Sequence, residues 1–275
     1  MDRPADAELE RHYEAVKSRA GRAGLGLGGD EAAPRDVADH YNSLADRHRT
    51  LDSGSQILHV RNLHNWIKAV LIGRHMRPGH AVLDMACGKG GDMLKFKAGN
   101  CAHYVGVDIA AQSVCDAVAR YNGSHGRGGM PFPAHFIAAD ICDGALETAF
   151  PPAVAFDLVS CQFALHYAFS SAERARAVMR NVACRLKPGG AFVGTLPDAN
   201  VLVRRLREVT RPNSRDIRPC VSPILVLFWP FTRNHAQAAG LQFGNQHYHV
   251  QFSGKHAAKR FPAHAPFGVT YSFML

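Results

Sequence analysis

The residues best suited to chemistry lie in one run, Val82-Leu83-Asp84-Met85-Ala86-Cys87-Gly88-Lys89-Gly90-Gly91-Asp92, where an apolar strand ends in a glycine-rich turn and opens into a lysine-bearing helix. Glycines there let a ligand approach the backbone, and an acid after the following strand, Asp108, is placed to take ribose hydroxyls. This is the layout of a nucleotide-type cofactor site. It is not a dinucleotide fingerprint, because the G-x-G-x-x-G spacing is not met around Ala86 and Gly88. It is not a P-loop either, since Lys89 is followed by Gly90 rather than Ser or Thr. Asp84, at the strand end, is expected to order the turn through its backbone N–H groups.

These groups need elements to hold them. Leu63, Trp66, Ile67, Val70 and Leu71 recur at helical spacing, which predicts a helix over 62–74 docked ahead of the first strand, with Lys68 on its flank. Strands are predicted over 81–85, 103–107, 136–140 and 156–162, with helices after Gly91 and over 111–121. Ser170 and Ser171 can cap a helix whose apolar set is Ala175, Val178, Met179, Val182, Ala183 and Leu186. That helix ends at Pro188-Gly189-Gly190, and a fifth strand follows over 191–195. Helices alternating with short β-branched runs predict an α/β fold with a doubly wound, mainly parallel sheet. Residues 1–38 read as a mobile arm and 39–275 as one domain; the pattern degrades over 210–240 and returns to strand-like alternation over 241–275.

The chain has 275 residues, 32 Lys and Arg against 23 Asp and Glu, and a formal charge of +9, which favours an anionic partner such as nucleic acid. Seven scattered cysteines without a C-x-x-C pair indicate reduced thiols in a cytosolic or nuclear setting. The N-terminus has no apolar h-region, and the most apolar stretch, 224–231, is too short to span a bilayer and contains Pro230, so neither secretion nor a membrane is expected. His247-Tyr248-His249 lacks a third ligand at a recognisable spacing, and no metal is expected.

The strand-end acid, the small-Cys-Gly turn and the later acid together resemble the S-adenosyl-L-methionine site of class I methyltransferases. With Cys161-Gln162-Phe163-Ala164-Leu165-His166-Tyr167 after the turn and His64-Asn65-Trp66-Ile67-Lys68 before it, the chain resembles eukaryotic mRNA cap guanine-N7 methyltransferases. The resemblance runs from His40-Tyr41-Asn42 to Asn200 and resumes at Phe243-Gly244-Asn245 through Pro266-Phe267-Gly268 and Tyr271. It implies a Rossmann-like fold and methyl transfer from S-adenosyl-L-methionine to N7 of the guanosine cap. The cofactor would be held by Lys68, Ala86, Asp108, Asp140, Gln162 and Tyr167, with Asp140 near the adenine amino group. The cap would be held by Asn65, Lys89, Lys95, Arg120 and His166. His64 stands where many members have a second asparagine, and Ala86 where many have glycine.

Guanine N7 carries an in-plane lone pair and no proton, so displacement at a sulfonium methyl needs no general base. No catalytic acid or base is expected among the residues; positioning and electrostatics suffice. The resemblance further implies capped mRNA as partner, association with the capping machinery, monomeric action and a nuclear location. Two departures stand out. The 210–239 stretch reads as an insertion, and the family continues past the strand matching 271–275 to a glutamate and a tyrosine of the cap pocket. The last strands are therefore expected to be missing, which leaves as alternative a catalytically silent cap or RNA-binding homologue that still binds the cofactor.

Overall fold

The computed structural model describes residues 37–39, 42, 58–123, 129–143, 146, 154–208, 241–245, 248–254, 258, 267, 269 and 271–274. The N-terminal arm up to residue 36 and the atypical stretch over 210–240 lie outside the described residues. The chain divides into two units, one containing Val60–Leu196 and the other Pro197–Leu275.

In the first unit α1 (Leu58–His75) leads into β1 (Ala81–Met85), α2 (Met93–Ala98), β2 (His103–Asp108), α3 (Ala111–Gly123), β3 (Ala134–Ala138) and β4 (Phe156–Gln162). A 3-10 turn (Leu165–Ser170), α4 (Ala172–Ala183) and β5 (Leu186–Thr195) follow. The five strands form one sheet in the order β3-β2-β1-β4-β5, and every pairing is parallel. Parallel strands covered on both faces read as continuous apolar runs, which explains the fully buried Val82–Met85 and Tyr104–Val107. Alternation then divides the core. Leu83, Met85, Val105, Val107 and Val159 pack with Val178 and Val182 of α4, while Val82, Tyr104 and Leu158 pack with Ile72, Met93 and Phe96 of α1 and α2. Each such aliphatic side chain, fully buried, contributes about 1.5–3 kcal/mol. Strand order reverses between β1 and β4, so their carboxyl ends frame the crevice where doubly wound sheets bind ligands.

Several boundaries differ from the sequence expectation for physical reasons. Trp66 and Val70 of α1 face outward, 63% and 42% exposed, and the docked face runs instead through Ile72. Strand β3 lies two residues earlier than predicted, so Asp140 falls just beyond it rather than at its end. The last helix of this unit stops at Ala183, and β5 already begins at Leu186. Lys187-Pro188-Gly189-Gly190 is an irregularity inside that strand, with pairing shifting from Phe156↔Leu186 to Leu158↔Ala191. An edge strand tolerates a proline there because no neighbour needs its missing N–H.

The second unit comprises α5 (Ala199–Glu208), started by Asp198 accepting from Asn200 and Val201 N–H, and β6 (Gln242–Asn245), β7 (Tyr248–Phe252) and β8 (Tyr271–Met274). These strands form a separate antiparallel sheet over a small core of Leu206, Phe243, Val250 and Phe252. The C-terminal alternation thus makes a sheet of its own rather than extending the parallel one.

Candidate active site

The turn after β1 requires left-handed backbone at three places: Ala86 (φ 57°), Gly88 (φ 52°) and Gly90 (φ 68°). Glycine takes this region freely, whereas alanine pays about 1 kcal/mol for it. The turn is tied to β2 by the Cys87 N–H on the Val107 carbonyl oxygen at 3.0 Å. Asp108 completes the tie. Its Oδ2 accepts from Gly88 N–H at 2.7 Å and its Oδ1 from Ala110 N–H at 2.9 Å. Burial raises the Asp108 carboxyl above its ordinary range, and the two N–H groups oppose that shift. Each oxygen keeps a further acceptor direction, which suits a vicinal pair of hydroxyls.

Asp84 does not order the turn through backbone N–H groups as the sequence suggested. Its carboxyl lies buried beneath it, accepting from Tyr104 OH at 3.0 Å and bonded to the Ser160 hydroxyl. Burial, then the negative charge of Asp92, pushes Asp84 up to about 8 against those hydrogen bonds and Lys68, which favours its protonated form. The floor of the site is therefore a buried carboxyl held by two hydroxyls.

Two ion-pair clusters bring the basic residues to this edge. Asp92, capping α2, receives Lys68 Nζ of α1 at 2.8 Å and Lys95 Nζ at 2.7 Å, and Lys95 also reaches Asn65 Oδ1 at 3.5 Å. Lys89 pairs with Asp116 of α3 at 2.8 Å. Arg120, one turn on, brings Nη1 to 4.0 Å from where a side chain on Gly91 would begin. Lys68, Lys89, Lys95, Arg120 and Asn65, the basic and amide residues that the resemblance singled out, thus lie around the glycine turn. Asp92 and Asp116, which hold them, were not singled out from the sequence; the signals were the i, i+3 spacing of Asp92 to Lys95 and the i, i+4 spacing of Asp116 to Arg120.

The end of β4 supplies the remaining groups. The Gln162 amide is set by donating Nε2–H to Ser160 Oγ at 3.1 Å and accepting from Thr195 Oγ1 at 3.0 Å. Phe163 is left-handed (φ 59°), donates its N–H to Thr195 and sets its ring 4.5 Å from that of His64. His166 and Tyr167 lie in the 3-10 turn with ring centroids 4.2 Å apart, tilted by 35°. His166 Nδ1 is buried without a hydrogen-bond partner, and burial depresses the pKa of the ring, which stays neutral at pH 7. A buried ring nitrogen without a partner calls for an explanation, and a ligand's polar edge would supply one. Asp140 comes to the same edge as Asp108, but Arg174 of α4 grips it with bonds of 2.8 and 3.2 Å. Nothing in the α4 apolar rhythm pointed to Arg174, which lies on the face between core and solvent.

Among the described residues no group of three or more His, Cys, Asp or Glu could hold a metal, and no helix is long and apolar enough to cross a membrane. Among the described residues, Cys87, Cys101, Cys115, Cys142, Cys161 and Cys184 form no disulfide.

The family model of the mRNA (guanine-N(7))-methyltransferase domain matches residues 29–217. The mRNA cap guanine-N(7) methyltransferase 1 of Oryza sativa subsp. japonica is 39% identical over 281 residues, which span 99% of this chain and 68% of that protein. Its counterpart from Arabidopsis thaliana is 38% identical over 245 residues, 88% of this chain and 58% of that protein. The mRNA cap guanine-N(7) methyltransferase of Drosophila melanogaster is 42% identical over 189 residues, 62% of this chain and 44% of that protein. The chain thus spans between 44% and 68% of the length of these relatives.

Proposed function

Because the chain belongs to the mRNA (guanine-N(7))-methyltransferase family, we propose that it transfers a methyl group from S-adenosyl-L-methionine to N7 of the guanosine cap of mRNA. The observation that carries this reading is the left-handed turn from Ala86 to Gly90 locked to β2 by Asp108. S-adenosyl-L-methionine supplies an electrophilic methyl on a sulfonium. The residues present fit it: Asp108 has acceptor capacity for ribose hydroxyls, Lys68 a partly exposed ammonium for a carboxylate, and Gln162 a fixed amide beside them. Ala86 keeps the turn small enough for close approach, and Tyr167 and Asp140 are the remaining cofactor residues of this reading.

On the acceptor side, Lys89, Lys95 and Arg120 give three cations for a triphosphate bridge, with Arg120 suited to bidentate phosphate binding. Asn65 and the open Nδ1 of neutral His166 take guanine's polar edge. Since N7 bears no proton, these residues hold and orient, and none has to move one. The chain acts as a monomer on capped RNA, in the nucleus and beside the capping machinery; the relatives' names and the charge of +9 support RNA as the partner.

Transfer of labelled methyl from S-adenosyl-L-methionine to GpppG-capped RNA tests this directly. The wild-type chain is expected to label the cap, with label lost in Asp108→Ala and Tyr167→Ala. Cofactor binding by calorimetry without any transfer by the wild-type chain would overturn the enzymatic reading.

A further inference from the structure

Asp140 is delivered to the site by β3, where Ala138 pairs with Asp108 and the Ala139 N–H reaches the Asp108 carbonyl oxygen at 2.9 Å. Its Oδ1 receives two N–H donors, Cys142 N at 2.9 Å and Arg174 Nη2 at 3.2 Å, whereas Oδ2 receives Arg174 Nη1 at 2.8 Å. Burial, with the charge of Asp140 next, pushes the neighbouring Cys142 thiol up to about 12, so no second charge competes there. These N–H bonds fix the carboxylate plane and leave Oδ2 with a single N–H donor; the Cys142 thiol, also hydrogen-bonded to this carboxylate, is the weak donor that a ligand N–H would replace.

Arg174 is itself anchored. It lies in the first turn of α4, where the Ser171 hydroxyl accepts its backbone N–H at 3.3 Å. Its planar fork holds both oxygens at once, which a lysine's point charge cannot do. The side chains are 27% and 21% exposed, and the bidentate pair contributes to folding whether or not a ligand is bound. Its geometry has a use at this place all the same, since a carboxylate free to rotate offers no fixed lone pair to a ligand N–H.

We infer that Arg174 is a positioning residue for the cofactor's base: it sets Asp140 so that Oδ2 accepts from an exocyclic amino group, and thereby selects a 6-aminopurine. The inference rests on the proposed adenine role of Asp140. Arg174 touches the base only through Asp140, so its effect depends on the amino group being present.

The test is a cycle between protein and ligand. Calorimetry measures the affinity of S-adenosylhomocysteine and of its analogue lacking the 6-amino group for wild type, Arg174→Ala, Arg174→Lys and Asp140→Ala, with GpppG titration and a thermal melt reporting that each variant is folded. Arg174→Ala is expected to weaken S-adenosylhomocysteine about tenfold, part of one charge-assisted hydrogen bond, while barely affecting the deaminated analogue. Arg174→Lys should restore only part of the preference. Equal weakening of both ligands by Arg174→Ala, or no weakening of either, overturns the inference. If Asp140→Ala abolishes the preference while Arg174→Ala does not, the inference fails alone. If neither changes it, the adenine role of Asp140 fails as well.

Discussion

At the turn after β1, the groups offered to a ligand are backbone N–H groups and the buried Asp108 carboxylate, held together by bonds of 2.7 to 3.0 Å. Along α2 and α3, in contrast, the offered groups are the ends of long side chains, Lys95 and Lys89, held by ion pairs of 2.7 and 2.8 Å whose side chains are 10% to 23% exposed. The first region is shaped by φ angles and a packed strand, so it exists before any ligand arrives. The second is shaped by charges with local partners, Asp92 and Asp116, that a triphosphate must share or displace. One chain thus presents a stiff backbone-built edge and a yielding charged one a few residues apart, which suits the proposed small cofactor beside a polyanion.

The largest effect that would sharpen this contrast comes from Asp108→Ala. Losing the acceptor of two backbone N–H groups and of the ribose should lower S-adenosylhomocysteine affinity about a hundredfold, two charge-assisted hydrogen bonds at about 1.5 kcal/mol each. GpppG affinity should stay near wild type. A similar loss for both ligands in calorimetry would break the distinction between the two regions.

A second effect concerns the floor. Asp84 is raised in the folded state, so its contribution to stability is fully present below the unfolded carboxyl value and is lost as pH rises through the folded value near 8. Urea denaturation should show stability falling between about pH 4 and 8. The same series on Asp84→Asn, which cannot ionise, should show a flatter profile. A parallel fall in wild type and variant would mean that other groups set the pH response. Ala86→Gly should have the smallest effect: it removes the left-handed alanine penalty and should raise stability by about 0.5 kcal/mol, read as a small upward shift in Tm.

The stiff region was also the more legible one in the sequence. Apolar runs fix β1 and β4 to the residue, and the glycines of 86–91 marked the turn that the structure shows as left-handed at Gly88 and Gly90. Where legibility failed, a competing interaction had won. Apolar periodicity alone put Trp66 on the docked face, but Ile72 anchors α1 and leaves Trp66 outside. Asp84 was assigned to the turn because acids often hold backbone N–H groups; Tyr104 of β2, whose register partner is Val82, donates its hydroxyl to Asp84 within the core instead. The Leu165–Ser170 turn has no period to detect, being too short for one. Charge partners are the least legible class, since the Asp140 pairing with Arg174 joins residues 34 apart that only the fold brings together.

The most direct measurement is calorimetric titration of S-adenosylhomocysteine and of GpppG into the same protein at low and at high salt. Exposed charges are screened by salt and buried hydrogen bonds are not. The prediction is a nearly constant affinity for S-adenosylhomocysteine and a several-fold fall for GpppG, with Lys95→Ala reducing that fall. Equal salt dependence for the two ligands would contradict a backbone-built cofactor edge beside a charge-built cap clamp.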